Sequence, residues 1–153
     1  MSAFETVVAS PIGALTLSSD GLSVTALRFG DHRSGLPSCP VLEQAAGELT
    51  EYFSGARREF SVPLAPLGTP FRQSVWAELR AIPYGKTATY ADIAARLGKP
   101  NACRAVGNAN NHNPLPILIP CHRVIGKNGS LTRYAGGLTV KEALLHLEGA
   151  ITE

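Results

Sequence analysis

The chain has 153 residues, of which 44 % are hydrophobic and 17 % charged, with a formal net charge of +2. This composition reads as soluble and globular, enough for one domain with a real core or for two small ones, and no apolar run approaches the length of a transmembrane span. Three cysteines (Cys39, Cys103 and Cys121) form no CxxC pair, and His32, His112, His122 and His146 lack ligand spacing with them, which argues against a zinc site and for a reducing, cytoplasmic setting. The N-terminus, Met1-Ser2-Ala3-Phe4-Glu5-Thr6, has no basic stretch leading into an apolar core, so no secretory signal is expected.

In chain order, three short β-like runs come first: Phe4 to Ala9, Ala14 to Leu17 and Leu22 to Phe29, with Ser10-Pro11-Ile12-Gly13 as a turn between the first two. Residues 31–40 read as a loop. The spacing of Leu42, Ala45, Ala46, Leu49 and Phe53 predicts a helix over 41–54 with those side chains on one face. Pro63, Pro66 and Pro70 mark 61–70 as a linker, because proline removes a backbone donor and resists regular structure. A boundary near residue 68 divides the chain into domains 1–68 and 69–153.

Phe71 to Ala81 reads as a helix with Val75, Trp76 and Leu79 inward, ended by Ile82-Pro83-Tyr84-Gly85. Thr89-Tyr90-Ala91-Asp92 has the form of a capping box and opens a helix to Leu97, which Gly98 closes. After the turn Lys99-Pro100-Asn101, Asn101 is expected to cap a second helix, Ala102 to Ala109, and the pair resembles a helix-turn-helix. Ala102, Ala105 and Ala109 fall at i, i+3 and i+7: either a thin stripe able to approach another surface or ordinary core packing, with Arg104 beside it. Charge is uneven along the chain. Residues 1–70 carry four basic and seven acidic side chains (net −3) and residues 71–153 ten and five (net +5), which supports a polyanionic partner for the second part.

The chemistry concentrates in Pro120-Cys121-His122-Arg123-Val124, at the end of the apolar run Leu115-Pro116-Ile117-Leu118-Ile119 and shortly after Asn113-Pro114. A thiol beside an imidazole suggests an activated nucleophile, because the thiolate attacks and the thiol hardly does. Neighbouring side chains on a strand point to opposite faces, so direct pairing needs a turn or a bridging water. The alternative is a small buried cysteine that happens to precede a histidine.

Together with Arg104-Ala105-Val106-Gly107-Asn108-Ala109 upstream and Tyr134-Ala135-Gly136-Gly137-Leu138 and Leu147-Glu148-Gly149 downstream, this segment resembles the methylated-DNA–protein-cysteine methyltransferases, the O6-alkylguanine repair proteins. The resemblance is strong over about residues 70–149 and rests on length and general pattern before that. It implies an α/β (α+β) fold: an N-terminal ribonuclease-H-like small sheet with a helix in a supporting role, and a mostly helical, winged-helix-like C-terminal domain containing the helix-turn-helix.

The resemblance also implies roles. Cys121 is the alkyl acceptor, His122 takes its proton through a bridging water, and Glu148 orients the imidazolium; no metal and no cofactor are needed. A thioether has no easy hydrolytic exit, so each chain acts once. Asn113 braces the segment between the recognition helix and the cysteine loop. The substrate base must leave the stack; Arg104 fills its place, Tyr90 crowds the 3′ phosphate and gives a proton to the departing guanine, and Ala102 enters the minor groove of double-stranded DNA. Lys99, Asn101 and Lys127 are expected phosphate contacts. The Val124 carbonyl is expected to read the guanine amino group, and Tyr134, Ala135 and Gly136 to line the pocket. Asn110 stands where relatives often carry an apolar groove-packing side chain, Arg133 flanks the substrate loop, and Cys103 reads as structural. The protein is expected to be a monomer without membrane association. Cooperative assembly on DNA, alkyl-group size and activity on O4-methylthymine stay open. Two alternatives stand beside it: a lesion-binding protein without transfer, in which the acceptor cysteine is replaced, and a Cys-His hydrolase, which leaves the helix-turn-helix unexplained.

Overall fold

Alternating apolar residues build a three-stranded antiparallel sheet at the start of the chain, in the order β1 (Phe4–Val8), β2 (Leu15–Ser19), β3 (Val24–Phe29). The computed structural model describes residues 2–132 and 134–151 and divides into two compact units, Met1–Leu67 and Gly68–Glu153. In the first, Leu15, Leu17, Val24 and Leu27 are buried, as are Leu42, Ala45, Leu49 and Tyr52 of helix α1 (Pro40–Phe53). The buried face of α1 takes Tyr52 rather than the expected Phe53, which is half-buried, as is Ala46.

The proline-rich stretch is not a free linker. Val24 donates its N–H to Pro63 O at 2.9 Å and accepts from Ala65 N–H at 2.9 Å, forming a parallel bridge to Leu64. Buried Glu48 accepts from the N–H groups of Ser61 (2.9 Å) and Val62 (3.1 Å). The residues between the prolines keep their donors, and β3 has an open edge to receive them, as sheet edges require.

The second unit is mostly helical: α2 (Pro70–Arg80), β4 (Ala88–Thr89), α3 (Tyr90–Arg96), α4 (Cys103–Asn111), β5 (Val124–Ile125) and α5 (Leu138–Leu147), with β4 and β5 paired in parallel. Val75, Trp76 and Leu79 of α2 are buried with Ile93 and Val106, and Trp76 Nε1 donates to Ala109 O at 2.9 Å. Thr89 and Asp92 close a reciprocal capping box at the start of α3. At its end Gly98 (φ 72°) takes the left-handed conformation, with Gly98 N–H to Ala95 O and Lys99 N–H to Ala94 O satisfying the last carbonyls. The next helix departs from expectation. It runs Cys103–Asn111, its N-cap is Ala102 without a side-chain hydrogen bond, and Asn101 is exposed in the preceding turn. The alanine stripe also divides: Ala105 is exposed and Ala102 half-buried, whereas Ala109 packs inward. Arg133 lies outside the described residues.

Candidate active site

The segment from Asn113 to Arg123 is a series of turns rather than a strand. Asn113 holds it from both ends of its amide: Nδ2 donates to Ile119 O at 2.8 Å and Oδ1 accepts from Leu115 N–H at 2.9 Å. Ile117 sits at φ 74°, a left-handed conformation that a β-branched residue adopts only when its surroundings impose it. Cys121–Arg123 then forms one 3-10 turn, with Cys121 N–H on Ile119 O (2.7 Å) and Arg123 N–H on Pro120 O (3.0 Å). This turn replaces the strand geometry that would have separated Cys121 from His122.

Behind the thiol lies a fully buried ionic cluster. His122 Nε2 is 2.8 Å from Glu148 Oε2. Arg123 donates from Nε to Oε1 (2.8 Å) and from Nη2 to Oε2 (2.9 Å), and its Nη1 reaches Ile82 O at 2.7 Å. Glu148 is the residue at which α5 ends; Gly149 (φ 75°) and Ala150 turn back onto His146 O and Leu145 O and fix that end. Since a carboxylate only accepts, Nε2 of a neutral His122 carries the hydrogen, and Nδ1, without a protein partner among the described residues, presents a lone pair.

Electrostatics set the resting state. Burial pushes the Cys121 thiol up to about 11, outweighing the hydrogen bond from Asn113 and the positive charge of Lys141. Burial likewise holds His122 below its ordinary value, more than Glu148 restores. The resting pair at neutral pH is therefore thiol and neutral imidazole, not the preformed thiolate that a Cys-His dipeptide suggests.

The remaining expected residues fall in two places. Tyr134, Ala135, Asn110, Asn113 and Pro116 line a narrow pocket with Cys121, and Gly136 follows Ala135 in the same turn. Asn110 is thus not a groove-packing residue: it is buried, on the opposite side of α4 from solvent, and its Oδ1 has no hydrogen-bond partner among the described residues. Tyr90 is half-buried, its hydroxyl 2.5 Å from Thr132 Oγ1. The Val124 carbonyl accepts from Lys141 Nζ at 2.6 Å, which leaves one of its two lone pairs for another donor. On the outer face Arg104, Ala105, Asn101 and Lys99 are exposed, Lys99 Nζ standing 5.3 Å from the Phe71 ring centre, and an open groove runs past Phe71, Arg72, Arg104 and Asn108. Lys127 is exposed in the loop after β5. Cys103 is half-buried at the start of α4 and Cys39 buried; all three cysteines are free.

Arg123, Lys141, Thr132 and the inward Asn110 escaped sequence reasoning. A signal existed for Lys141: with Leu144, Leu145 and Glu148 it falls at i, i+3, i+4 and i+7, placing two charges on the apolar stripe of α5.

A family model for the 6-O-methylguanine DNA methyltransferase DNA binding domain matches residues 70–150, and one for the ribonuclease-like domain of the same proteins matches residues 3–66. The methylated-DNA–protein-cysteine methyltransferase of Methanosarcina acetivorans is 49 % identical over 148 residues, covering 92 % of this chain and 95 % of that protein. The chain belongs to the methylated-DNA–protein-cysteine methyltransferase family. The constitutive member from Bacillus subtilis is 57 % identical over 110 residues, 71 % of this chain and 67 % of its own length. Among solved structures, Mycobacterium tuberculosis OGT in complex with DNA superposes with a TM-score of 0.88 at 46 % identity, covering 96 % of this chain and 93 % of that one. The mixed α/β fold of this methyltransferase is the fold of its relatives, and among its described residues no helix is long and apolar enough to cross a membrane.

Proposed function

We propose that the protein repairs DNA by direct reversal, moving the alkyl group from O6 of guanine in double-stranded DNA to Sγ of its own Cys121. The observation that carries this reading is the free Cys121 thiol lining a narrow pocket, with the buried His122–Glu148–Arg123 cluster behind it, in a chain of this family. Transfer is a displacement at carbon: the sulfur–carbon bond forms as the carbon–oxygen bond breaks. His122 Nδ1, through one bridging water, takes the thiol proton, and Glu148, held in orientation by Arg123, stabilises the imidazolium that results. A thiol held high by burial is inert until a substrate arrives, and the product thioether ends the reaction after one turnover.

The target base reaches the pocket by flipping out of the duplex. Arg104 occupies its place, and the thin outer surface at Ala102 and Ala105 suits the minor groove, where bulky side chains would hold the backbone away. Lys99, Asn101 and Lys127 bind phosphates. Tyr90 presses the 3′ phosphate and protonates the departing guanine; Val124 O reads the guanine amino group; Tyr134, Ala135 and Gly136 enclose the base, with Asn113 keeping the cysteine loop in shape. In this reading residues 1–68 support and residues 69–153 bind DNA and accept the alkyl group, the protein acts as a monomer, and its free acceptor thiol supports a reducing, cytoplasmic setting.

The test is an intact mass after mixing with an equimolar duplex carrying one O6-methylguanine, followed by peptide mapping. One methyl on Cys121, saturating at one per chain, is expected. Binding of the lesion duplex without modification would instead establish a lesion-binding protein.

A further inference from the structure

Lys141 is a buried cation that the steps above leave unused. It is fully buried on α5, and its ammonium donates to Val124 O at 2.6 Å, Thr132 O at 3.2 Å and Thr132 Oγ1 at 3.2 Å. Among the described residues no carboxylate pairs with it. Buried charges are ordinarily paired with an opposite charge, so an unpaired one in a reaction centre calls for a use.

Thr132 supplies the connection. Its Oγ1 lies 2.5 Å from the Tyr90 hydroxyl, where either atom alone could be the donor. Lys141 favours one direction. An ammonium only donates, so Thr132 Oγ1 accepts from it, and the Thr132 hydrogen then has a single acceptor among the described residues, Tyr90 Oη. That leaves the hydrogen of Tyr90 itself free for an acceptor outside the chain.

We propose that Lys141, Thr132 and Tyr90 form a proton relay to the departing guanine, with Tyr90 the group that touches the base and Thr132 and Lys141 positioning residues behind it. The relay rests on the alkyl-transfer reading above. As sulfur takes the alkyl carbon, the electron pair of the broken carbon–oxygen bond stays with guanine. The Tyr90 proton passes to a ring nitrogen of the base, the Thr132 proton to Tyr90 Oη, and one Lys141 proton to Thr132 Oγ1. Lys141 ends as a neutral amine and His122 as an imidazolium carrying the thiol proton, so the total charge of the site is unchanged. Burial pushes Lys141 down to about 8, which leaves it charged at neutral pH yet a far readier proton source than an exposed lysine.

The experiment compares two reactions of Cys121 in the same full-length protein: single-turnover transfer from an O6-methylguanine duplex, and alkylation by iodoacetamide read on the Cys121 peptide. Iodide leaves without a proton, so only the first needs the relay. Thr132→Val should slow transfer by ~10-fold or more, within the range of general-acid assistance, while iodoacetamide alkylation and binding of the lesion duplex hold; Thr132→Ser should restore the rate. In the wild type, the ratio of the two rates should fall as pH rises through about 8. A ratio flat with pH, or two rates that drop together in Thr132→Val, overturns the relay, and the pH ratio decides the matter even where a variant folds poorly. Tyr90→Phe separates the two readings. If it is slow and Thr132→Val is not, only the relay falls; if it transfers at the wild-type rate, the Tyr90 donor falls with it, and the methyl on Cys121 still tests the acceptor.

Discussion

Arg123 grips both carboxylate oxygens of Glu148, Nε on Oε1 at 2.8 Å and Nη2 on Oε2 at 2.9 Å, with Glu148 fully shielded from solvent. A planar fork on a carboxylate fixes direction as well as charge. The carboxylate that faces His122 is thereby held in one orientation before any substrate arrives. Removing one partner of a buried pair leaves the other uncompensated, so Arg123→Ala should lower unfolding stability by about 3–5 kcal/mol in denaturant titrations. Arg123→Lys retains charge but loses the fork and should recover only part of it. Glu148→Gln, which still accepts from His122, should slow alkyl transfer more than it lowers stability.

The buried thiol gives stability a pH signature. Folding raises Cys121 from 9.0 to about 11, so the folded state keeps its proton where the unfolded chain has lost it. The wild type is therefore unpenalised below pH 9 and loses stability as pH rises through 11, whereas Cys121→Ala does not carry this contribution. The difference between the two proteins should shift by about 3 kcal/mol against the wild type across that window. Urea titrations at pH 8 and pH 11 measure it; a constant difference would mean the thiol is not desolvated.

Asn113 makes two hydrogen bonds to the cysteine loop and draws the Cys121 thiol down against the effect of burial. Asn113→Ala should cost about 1–3 kcal/mol, since it takes the partner of the Leu115 N–H and one of the two donors to the Ile119 carbonyl, and should slow Cys121 alkylation even by iodoacetamide. Unchanged iodoacetamide kinetics would confine Asn113 to a structural role.

Gly68 lies against the indole of Trp76. A Cβ there would fall 2.7 Å from Trp76 Cζ3 and closer still to Cη2. Gly68→Ala should therefore destabilise the second unit by about 1–3 kcal/mol through overpacking. Trp76 is the single tryptophan of the chain, so its emission reports the unfolding midpoint directly.

Arg104 is exposed near the start of α4, free of any role in the core. Holding a nucleotide out of the stack costs a few kcal/mol, and Arg104→Ala should forfeit part of that compensation, slowing transfer from duplex DNA by about 10-fold while sparing reaction with free O6-benzylguanine. Equal losses on both substrates would remove the finger role. Duplex affinity should also fall with rising salt, as phosphate contacts release counterions.

Much of the framework was legible along the chain because the interactions that specify it are local. The capping box of Thr89 and Asp92, the stop at Gly98 and the inward face Val75, Trp76 and Leu79 all arise within one or two turns of a helix. Where a local rule met a tertiary partner, the partner won. Asn101 is a good capping residue, yet the helix starts two residues later, and prolines that forbid an isolated strand did not prevent residues 63–65 from bridging the open edge of β3. Asn110 and Ala109 were ambiguous on a helix of small residues, and which side of α4 meets the core depends on Trp76 and the cysteine loop.

By itself the sequence determined the candidate nucleophile and its neighbours as chemical types: a Cys121-His122-Arg123 run, a distant Glu148, a basic second half and a helix-turn-helix. Only the tertiary structure decided their state. Closing the chain between residues 123 and 148 sets three charged or titratable side chains in one dry cluster, and the same closure buries Lys141 against Val124 and Thr132. Desolvation and pairing depend on what surrounds a group in space, which no stretch of neighbouring residues encodes. That is why Cys121 rests as a protonated thiol rather than as the thiolate its sequence suggests.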